Sequence, residues 1–157
     1  MTFACLRIFT YYWSIKNLKV MCLYSIERTP YIADGDITCY KVVSVRGRKY
    51  YAPVVGRRIA KRYIIGRCLY YAHGESEIKE LCDIHGHILD FYMIRKGFIH
   101  TYGKVEEAFH NSGVNKMVFE CIIPKGTEYW KDMATSELAS KVIRFVRKIK
   151  PNQLKNN

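Results

Sequence analysis

The chain has 157 residues, of which 49% are hydrophobic and 14% aromatic, and its formal net charge at pH 7 is +12. A chain of this length buries roughly 70% of its unfolded surface, which is enough for a hydrophobic core without disulfide support. This composition excludes general disorder.

The six cysteines are scattered, and no two of them form a CxxC pair. They are Cys5, Cys22, Cys39, Cys68, Cys82 and Cys121. A secreted disulfide scaffold is therefore not indicated, and the pattern predicts a protein of the reducing cytoplasm.

Residues 1–20 form an apolar and aromatic extension that Arg7, Lys16 and Lys19 interrupt. No run approaches the roughly 20 apolar residues of a spanning helix, so no transmembrane segment is predicted. The segment also lacks the cleavage pattern of a secretory signal. Two interpretations remain open: an amphipathic segment lying on a membrane or on the domain, or an extension upstream of a natural start at Met21, which we favour.

The first predicted elements lie between residues 37 and 65. Residues 37–45 are β-branched and apolar, which predicts a strand buried on both faces. Residues 50–52 predict a short strand that Pro53 limits to a sheet edge. Residues 57–65 fit either a basic helix or a strand.

The second half of the chain has clearer patterns. Apolar residues at helical spacing predict a helix over 77–85, while 87–94 continues that helix or forms a strand. A short helix is predicted at 105–111, closed by Gly113. Strands are predicted at 98–102, 117–123, 128–130 and 142–149.

These elements predict a single α+β domain over residues 21–150. Its sheet is expected to be mixed or antiparallel with about five strands, accompanied by one or two short helices. Residues 151–157 are predicted to form a disordered basic tail.

Two segments are strongly basic: residues 141–157 have a net charge of +6, and the block between residues 37 and 73 has nine cationic residues and no Asp or Glu. Its cationic residues are Lys41, Arg46, Arg48, Lys49, Arg57, Arg58, Lys61, Arg62 and Arg67. Tyrosines alternate with them. Because like charges repel, such a block favours an anionic partner. Arg can form bidentate hydrogen bonds with phosphate, and Tyr offers a ring on which a base can stack. We therefore predict these nine residues as the binding residues for nucleic acid or a nucleotide.

Other candidate chemistry is less specific. Cys82, His85 and His87 do not have a standard zinc-ligand spacing, so no metal site is predicted. Neither GxGxxG nor GxxxxGK[ST] occurs, and no cofactor is predicted. Glu137, just before the final predicted strand, is the one candidate catalytic carboxylate, although the sequence favours a loop or cap role for it.

Two segments, 37–42 (ITCYKV) and 121–129 (CIIPKGTEY), resemble a family of small uncharacterised proteins of gut bacteria and their phages. Similar members begin near an equivalent of 21–23 (MCL), carry a Gly97-Phe98 pair and end in a motif like 139–143 (ASKVI). The resemblance implies an accessory protein of a phage or mobile element and brings no assigned activity with it.

A more distant resemblance is to ADP-ribosyltransferase-type folds, in which a strand leads to a Pro-Lys-Gly-Thr turn such as 124–127. This resemblance implies an NAD cleft with Tyr40 on its first strand and Glu137 as the catalytic carboxylate. The chain departs from that pattern because no Arg or His lies near Tyr40, and because Thr135 stands where Gln or Glu is expected.

The leading hypothesis is a basic accessory protein that binds a phosphate-bearing ligand, without catalysis, through residues 41–67 and the basic C-terminus. Two alternatives stay open: an NAD-binding enzyme that uses Glu137, and a phage inhibitor whose basic face docks on an acidic host protein.

Overall fold

The computed structural model describes residues 23–25, 27–53, 56–66, 68–82, 85–94 and 96–151. The predictions for residues 1–20, for Arg67 and for most of the tail 151–157 lie outside these ranges.

Most of the described strands belong to one large antiparallel sheet. Its strands are β2 (Tyr31–Ile32), β3 (Ile37–Arg46), β4 (Lys49–Tyr51), β5 (Arg58–Ile59), β6 (Leu69–Tyr71), β9 (Ile99–Tyr102), β10 (Lys116–Ile123), β11 (Glu128–Lys131), β12 (Glu137–Ser140) and β13 (Val142–Ile149). The main path runs β2-β11-β12-β9-β3-β10-β13-β6. Outside this path, β4 pairs with the last residues of β3, and β5 pairs with β4.

A smaller antiparallel sheet has the order β1-β8-β7, with β1 at Leu23–Ser25, β7 at Ile78–Cys82 and β8 at Ile88–Ile94. It packs on the β11–β12 end of the large sheet. Leu23 and Ile94 meet Trp130 and Ala139 there, and the Phe98 ring meets Trp130 edge-on with 4.9 Å between centroids.

Two short helices cover opposite faces of the large sheet. Helix α1 (Lys61–Ile65) buries Ile64 in the main core cluster, together with Val43 and Phe145. Helix α2 (Val105–His110) buries Ala108 against Val42 and other residues of the opposite face. Neighbouring residues of β3 point to opposite faces, so both faces of its middle are covered.

The predicted α+β class with about five strands is wrong. The described residues form an all-β fold of two sheets in which the helices have only five and six residues. The helix predicted at 77–85 is also wrong, because Ile78–Cys82 is strand β7 and pairs with β8. The two alternatives for 57–65 both occur, as β5 followed by α1.

Six other predicted elements are confirmed. Strands β3, β9, β10, β11 and β13 and helix α2 occupy the predicted segments to within one residue at each end. They contribute the centre of the large sheet, on which the candidate site is built.

Candidate functional site

A row of four paired residues with a basic residue at each end runs across four neighbouring strands of the large sheet. Arg58 of β5 pairs with Tyr51 of β4, Tyr51 pairs with Ser44 of β3, and Ser44 pairs with Lys116 of β10. Paired residues project from the same face of a sheet, so these four side chains share a face. With strands about 4.8 Å apart, the row is about 14 Å long.

A second row lies next to the first on the same face. Arg46 of β3 pairs with Lys49 of β4, and each is two residues from a member of the first row. Gly47 and Arg48 form the turn between them, and Gly47 has the φ of +60° that two-residue hairpin turns favour. We call Arg46, Arg48, Lys49, Tyr51, Arg58 and Lys116 the basic face.

The other side of these strands shows why the cations face outward. Tyr50, Ile59 and Val43 alternate with the basic residues and belong to, or pack against, the main core cluster. Tyr50 contacts the Phe119 ring edge-on with 6.2 Å between centroids. Because side chains alternate along a strand, the residues of the two rows lie on the opposite face. There Arg46, Lys49, Arg58 and Lys116 are exposed, and Ser44 and Tyr51 are half-buried.

No described carboxylate neutralises the basic face. In the part of the chain that the structure describes, the ion pairs are Arg28–Glu80, Lys79–Glu77, Arg144–Asp36 and Arg147–Glu120. Arg46 instead lies over the Tyr51 ring, with 5.3 Å from Cζ to the centroid. Like charges directly opposite each other destabilise a strand pair, so Arg46 and Lys49 form a site that an anion would stabilise.

Lys41, also predicted to bind ligand, is buried with only 5% of its surface exposed. Its Nζ donates a hydrogen bond to the His100 carbonyl oxygen at 2.7 Å. Burial lowers the pKa of Lys41 to about 8, although the nearby Cys121 and Cys39 oppose this shift. The residue is therefore part of the interior rather than of the basic face.

The other predicted cations lie apart from the basic face. Arg62 donates a hydrogen bond to the Tyr63 hydroxyl at 3.1 Å and lies over the same ring, and Lys61 begins the same helix, α1. Burial raises the pKa of Tyr70, and the nearby positive charge of Arg57 opposes this shift. Tyr63 and Tyr70 belong to the side of the sheet that α1 covers.

Lys116 was missed by the sequence prediction. It lies 49 residues beyond Arg67, and only the β3–β10 pairing brings it beside Ser44. No local sequence signal could have assigned it to this site.

Glu137 lies in a different polar cluster on strand β12. It pairs with Tyr102 of β9, whose hydroxyl is hydrogen-bonded to the Glu137 carboxyl. Burial, followed by the nearby negative charge of Asp132, raises the pKa of Glu137 to about 7, although the Tyr102 hydrogen bond opposes this. A carboxyl with this pKa can hold or release a proton near neutral pH.

Two carboxylates near Glu137 are held in place by hydrogen bonds from backbone amides. Glu107 of α2 accepts hydrogen bonds from the Ser136 amide at 2.9 Å and the Ser136 hydroxyl at 2.8 Å. Asp132 accepts from the Ala134 and Thr135 amides at 2.8 and 2.9 Å. Tyr40 pairs with Tyr102, so Tyr40, Tyr102 and Glu137 form a row on one face of the sheet.

The cysteine and histidine residues singled out as metal candidates lie around the β7–β8 hairpin, where the His85 and His87 rings are 6.2 Å apart. Among the residues that the structure describes, no group of three or more His, Cys, Asp or Glu side chains could hold a metal ion. Within the same residues, neither helix has the length and apolar character needed to cross a bilayer.

Comparison with known proteins gives no relative. No protein-family model matches the chain, and neither the curated proteins nor the solved structures contain a match.

Proposed function

We propose that this protein binds nucleic acid through its basic face and has no catalytic activity of its own. The observation that carries the proposal is the pairing of Arg46 with Lys49, with no described carboxylate to neutralise either residue. Such a pair lowers the stability of the hairpin unless an anion lies against it.

The extent of the basic face favours a polymer over a single nucleotide. Arg58 and Lys116 lie at the two ends of a row about 14 Å long, and Arg46 and Lys49 lie beside its centre. One phosphate group can contact only part of such a surface. Several phosphates of one nucleic-acid strand can contact all of it, and each contact releases counterions.

The proposal narrows the predicted binding set. It keeps Arg46, Arg48, Lys49 and Arg58, adds Lys116, and leaves out the buried Lys41 and the residues beside α1. A location in the reducing cytoplasm, which the cysteine pattern predicts, is compatible with this proposal. A role as a phage or mobile-element accessory protein, which the sequence resemblance implies, stays a prediction.

The test is the binding of a labelled oligonucleotide, measured by fluorescence anisotropy at low salt. The double substitution Arg46→Gln/Lys49→Gln should weaken binding roughly tenfold or more, since two phosphate contacts are lost. Lys125→Gln/Lys148→Gln is the matched control. It also removes two positive charges, from exposed residues outside the basic face, and should change affinity much less.

The same assay with polyglutamate as competitor distinguishes phosphate from carboxylate partners. Nucleic acid should displace the labelled oligonucleotide at much lower charge concentration than polyglutamate does. Equal losses in both double variants would show that only net charge matters and would contradict the assignment of the basic face. Stronger competition by polyglutamate would favour docking on an acidic protein.

A second candidate function is acid–base chemistry at Glu137. The row formed by Tyr40, Tyr102 and Glu137 favours it, because it aligns on one sheet face the two residues that the ADP-ribosyltransferase resemblance singles out. The test is incubation with labelled NAD, comparing the unaltered protein with Glu137→Gln. If neither protein transfers or hydrolyses NAD, this candidate is removed.

A further inference from the structure

The aromatic residue at the centre of the basic face is Tyr51. It is half-buried, and its two cross-strand neighbours are the small Ser44 on one side and Arg58 on the other. Arg46 lies over the ring, with 5.3 Å from Cζ to the centroid. A tyrosine ring and a guanidinium are both planar groups on which a nucleobase can stack.

The rim of the basic face is also suited to bases. Val114, two residues before Lys116, is 91% exposed and is the most exposed large apolar side chain among the described residues. The carbonyl of Asn115 accepts a hydrogen bond from the Val45 amide at 2.7 Å, which holds this loop against the strand that carries Arg46. An apolar contact is therefore available at the edge of the cationic surface.

Phosphates alone do not require these features. Cations bind the backbone of duplex and single strands alike, whereas stacking requires bases that are free of a duplex. Ser44, whose side chain is short, lies next to Tyr51 in the row, and Arg58 and Lys116 lie at the two ends.

We infer that the basic face binds single-stranded nucleic acid, with a base stacked on the Tyr51 ring beside the Arg46 guanidinium. Its phosphates are held by the five cations of the face, Arg46, Arg48, Lys49, Arg58 and Lys116. This inference rests on the proposed function, since it specifies the class of nucleic acid that the same surface binds.

The experiment compares three labelled ligands of equal phosphate number at one low salt concentration: oligothymidylate, an abasic oligomer with the same backbone, and a duplex. Oligothymidylate should bind about 5- to 150-fold more tightly than the abasic oligomer, the range that one stacked base contributes. The duplex, whose bases are already stacked, should not bind more tightly than oligothymidylate.

Substitution of Tyr51 tests whether the base stacks on this ring. Tyr51→Leu should reduce the ratio of oligothymidylate affinity to abasic-oligomer affinity, whereas Tyr51→Phe should keep that ratio. Tyr71→Leu is the matched control, because Tyr71 is a 55% exposed strand tyrosine outside the basic face and should behave like the unaltered protein.

The outcomes separate the inference from the proposed function. Equal binding of oligothymidylate and the abasic oligomer by the unaltered protein overturns the stacking inference, and so does tighter binding of the duplex. Either result leaves nucleic-acid binding in place. No binding of any of the three ligands overturns the proposed function itself. The ligand comparison uses only the unaltered protein, so it decides the question even if Tyr51→Leu does not fold.

Discussion

At the scale of single residues, Glu137 shows how the sheet alters the chemistry of one carboxyl. Its pKa is raised from 4.5 to about 7 by burial and by the charge of Asp132. Tyr102 and Glu107 also face it, from β9 and α2, and Lys41 opposes the shift from β3. The ionised form is therefore less favourable in the folded protein than in the unfolded chain.

The sign of the resulting pH dependence follows from this shift. Because the folded pKa lies above the unfolded one, the contribution of Glu137 to stability is complete below about pH 4.5 and is lost as the pH rises through 7. Glu137→Gln keeps a neutral group in place. We expect this variant to match the unaltered protein at low pH and to exceed its free energy of unfolding by up to about 3 kcal/mol above pH 7.

The measurement is urea unfolding at a series of pH values. Glu128→Gln serves as control, since Glu128 is an exposed carboxylate on the neighbouring strand β11, and it should keep the pH dependence of the unaltered protein. Parallel pH profiles for Glu137→Gln and the unaltered protein would contradict the account of the Glu137 environment.

At the scale of elements, Gly97 lies where the chain passes from β8 to β9, and so from the small sheet to the large one. Its φ is +72°, and a Cβ placed there would come within 2.5 Å of the Glu75 carbonyl oxygen. Lys141 Nζ donates to the Gly97 carbonyl oxygen at 2.7 Å and lies 4.0 Å from the centroid of the Phe98 ring. This crossing requires glycine for both its conformation and its space.

We expect Gly97→Ala to lower the free energy of unfolding by roughly 3 kcal/mol, because a left-handed conformation and a backbone clash both carry a cost. Gly113→Ala is the matched control, since Gly113 has no heavy atom within 4 Å of an added Cβ and no positive φ. Its effect should stay within about 1 kcal/mol. Chemical unfolding measures both, and equal stabilities would contradict the structure of this crossing.

The strands show what a sequence pattern can and cannot predict. In β13, the buried Ile143 and Phe145 alternate with less buried residues, and the strand was predicted correctly. In β7, only Leu81 is buried and the register shifts between Glu80 and Cys82, so the segment has no alternation to detect. Pairing with β8 overrides its apparent helical spacing.

Strand β12 was missed for a related reason. Leu138, Ala139 and Ser140 are consecutive and all buried, because β12 lies between β9 and β11 with both faces covered. A four-residue segment of this kind has no period. The sequence therefore placed Glu137 in a loop or cap, whereas it lies at the start of an interior strand.

At the scale of the whole molecule, the large sheet distributes the cations behind the net charge of +12 over its two faces. Strand alternation and cross-strand pairing gather Arg46, Lys49, Arg58 and Lys116 on one face, while Arg57 and Arg62 lie near the tyrosines of the other side. The composition predicted an anionic partner in general terms. Only the register of β3, β4, β5 and β10 shows which cations can contact it together.

The salt dependence of oligonucleotide binding tests this account most directly. About five phosphate contacts on a single strand predict that the logarithm of the association constant falls with the logarithm of salt concentration at a slope of about −3.5. Arg46→Gln/Lys49→Gln should make the slope shallower by about 1.4, and Lys125→Gln/Lys148→Gln should leave it unchanged. A flat dependence, or the same slope in all three proteins, would show that the basic face does not bind nucleic acid.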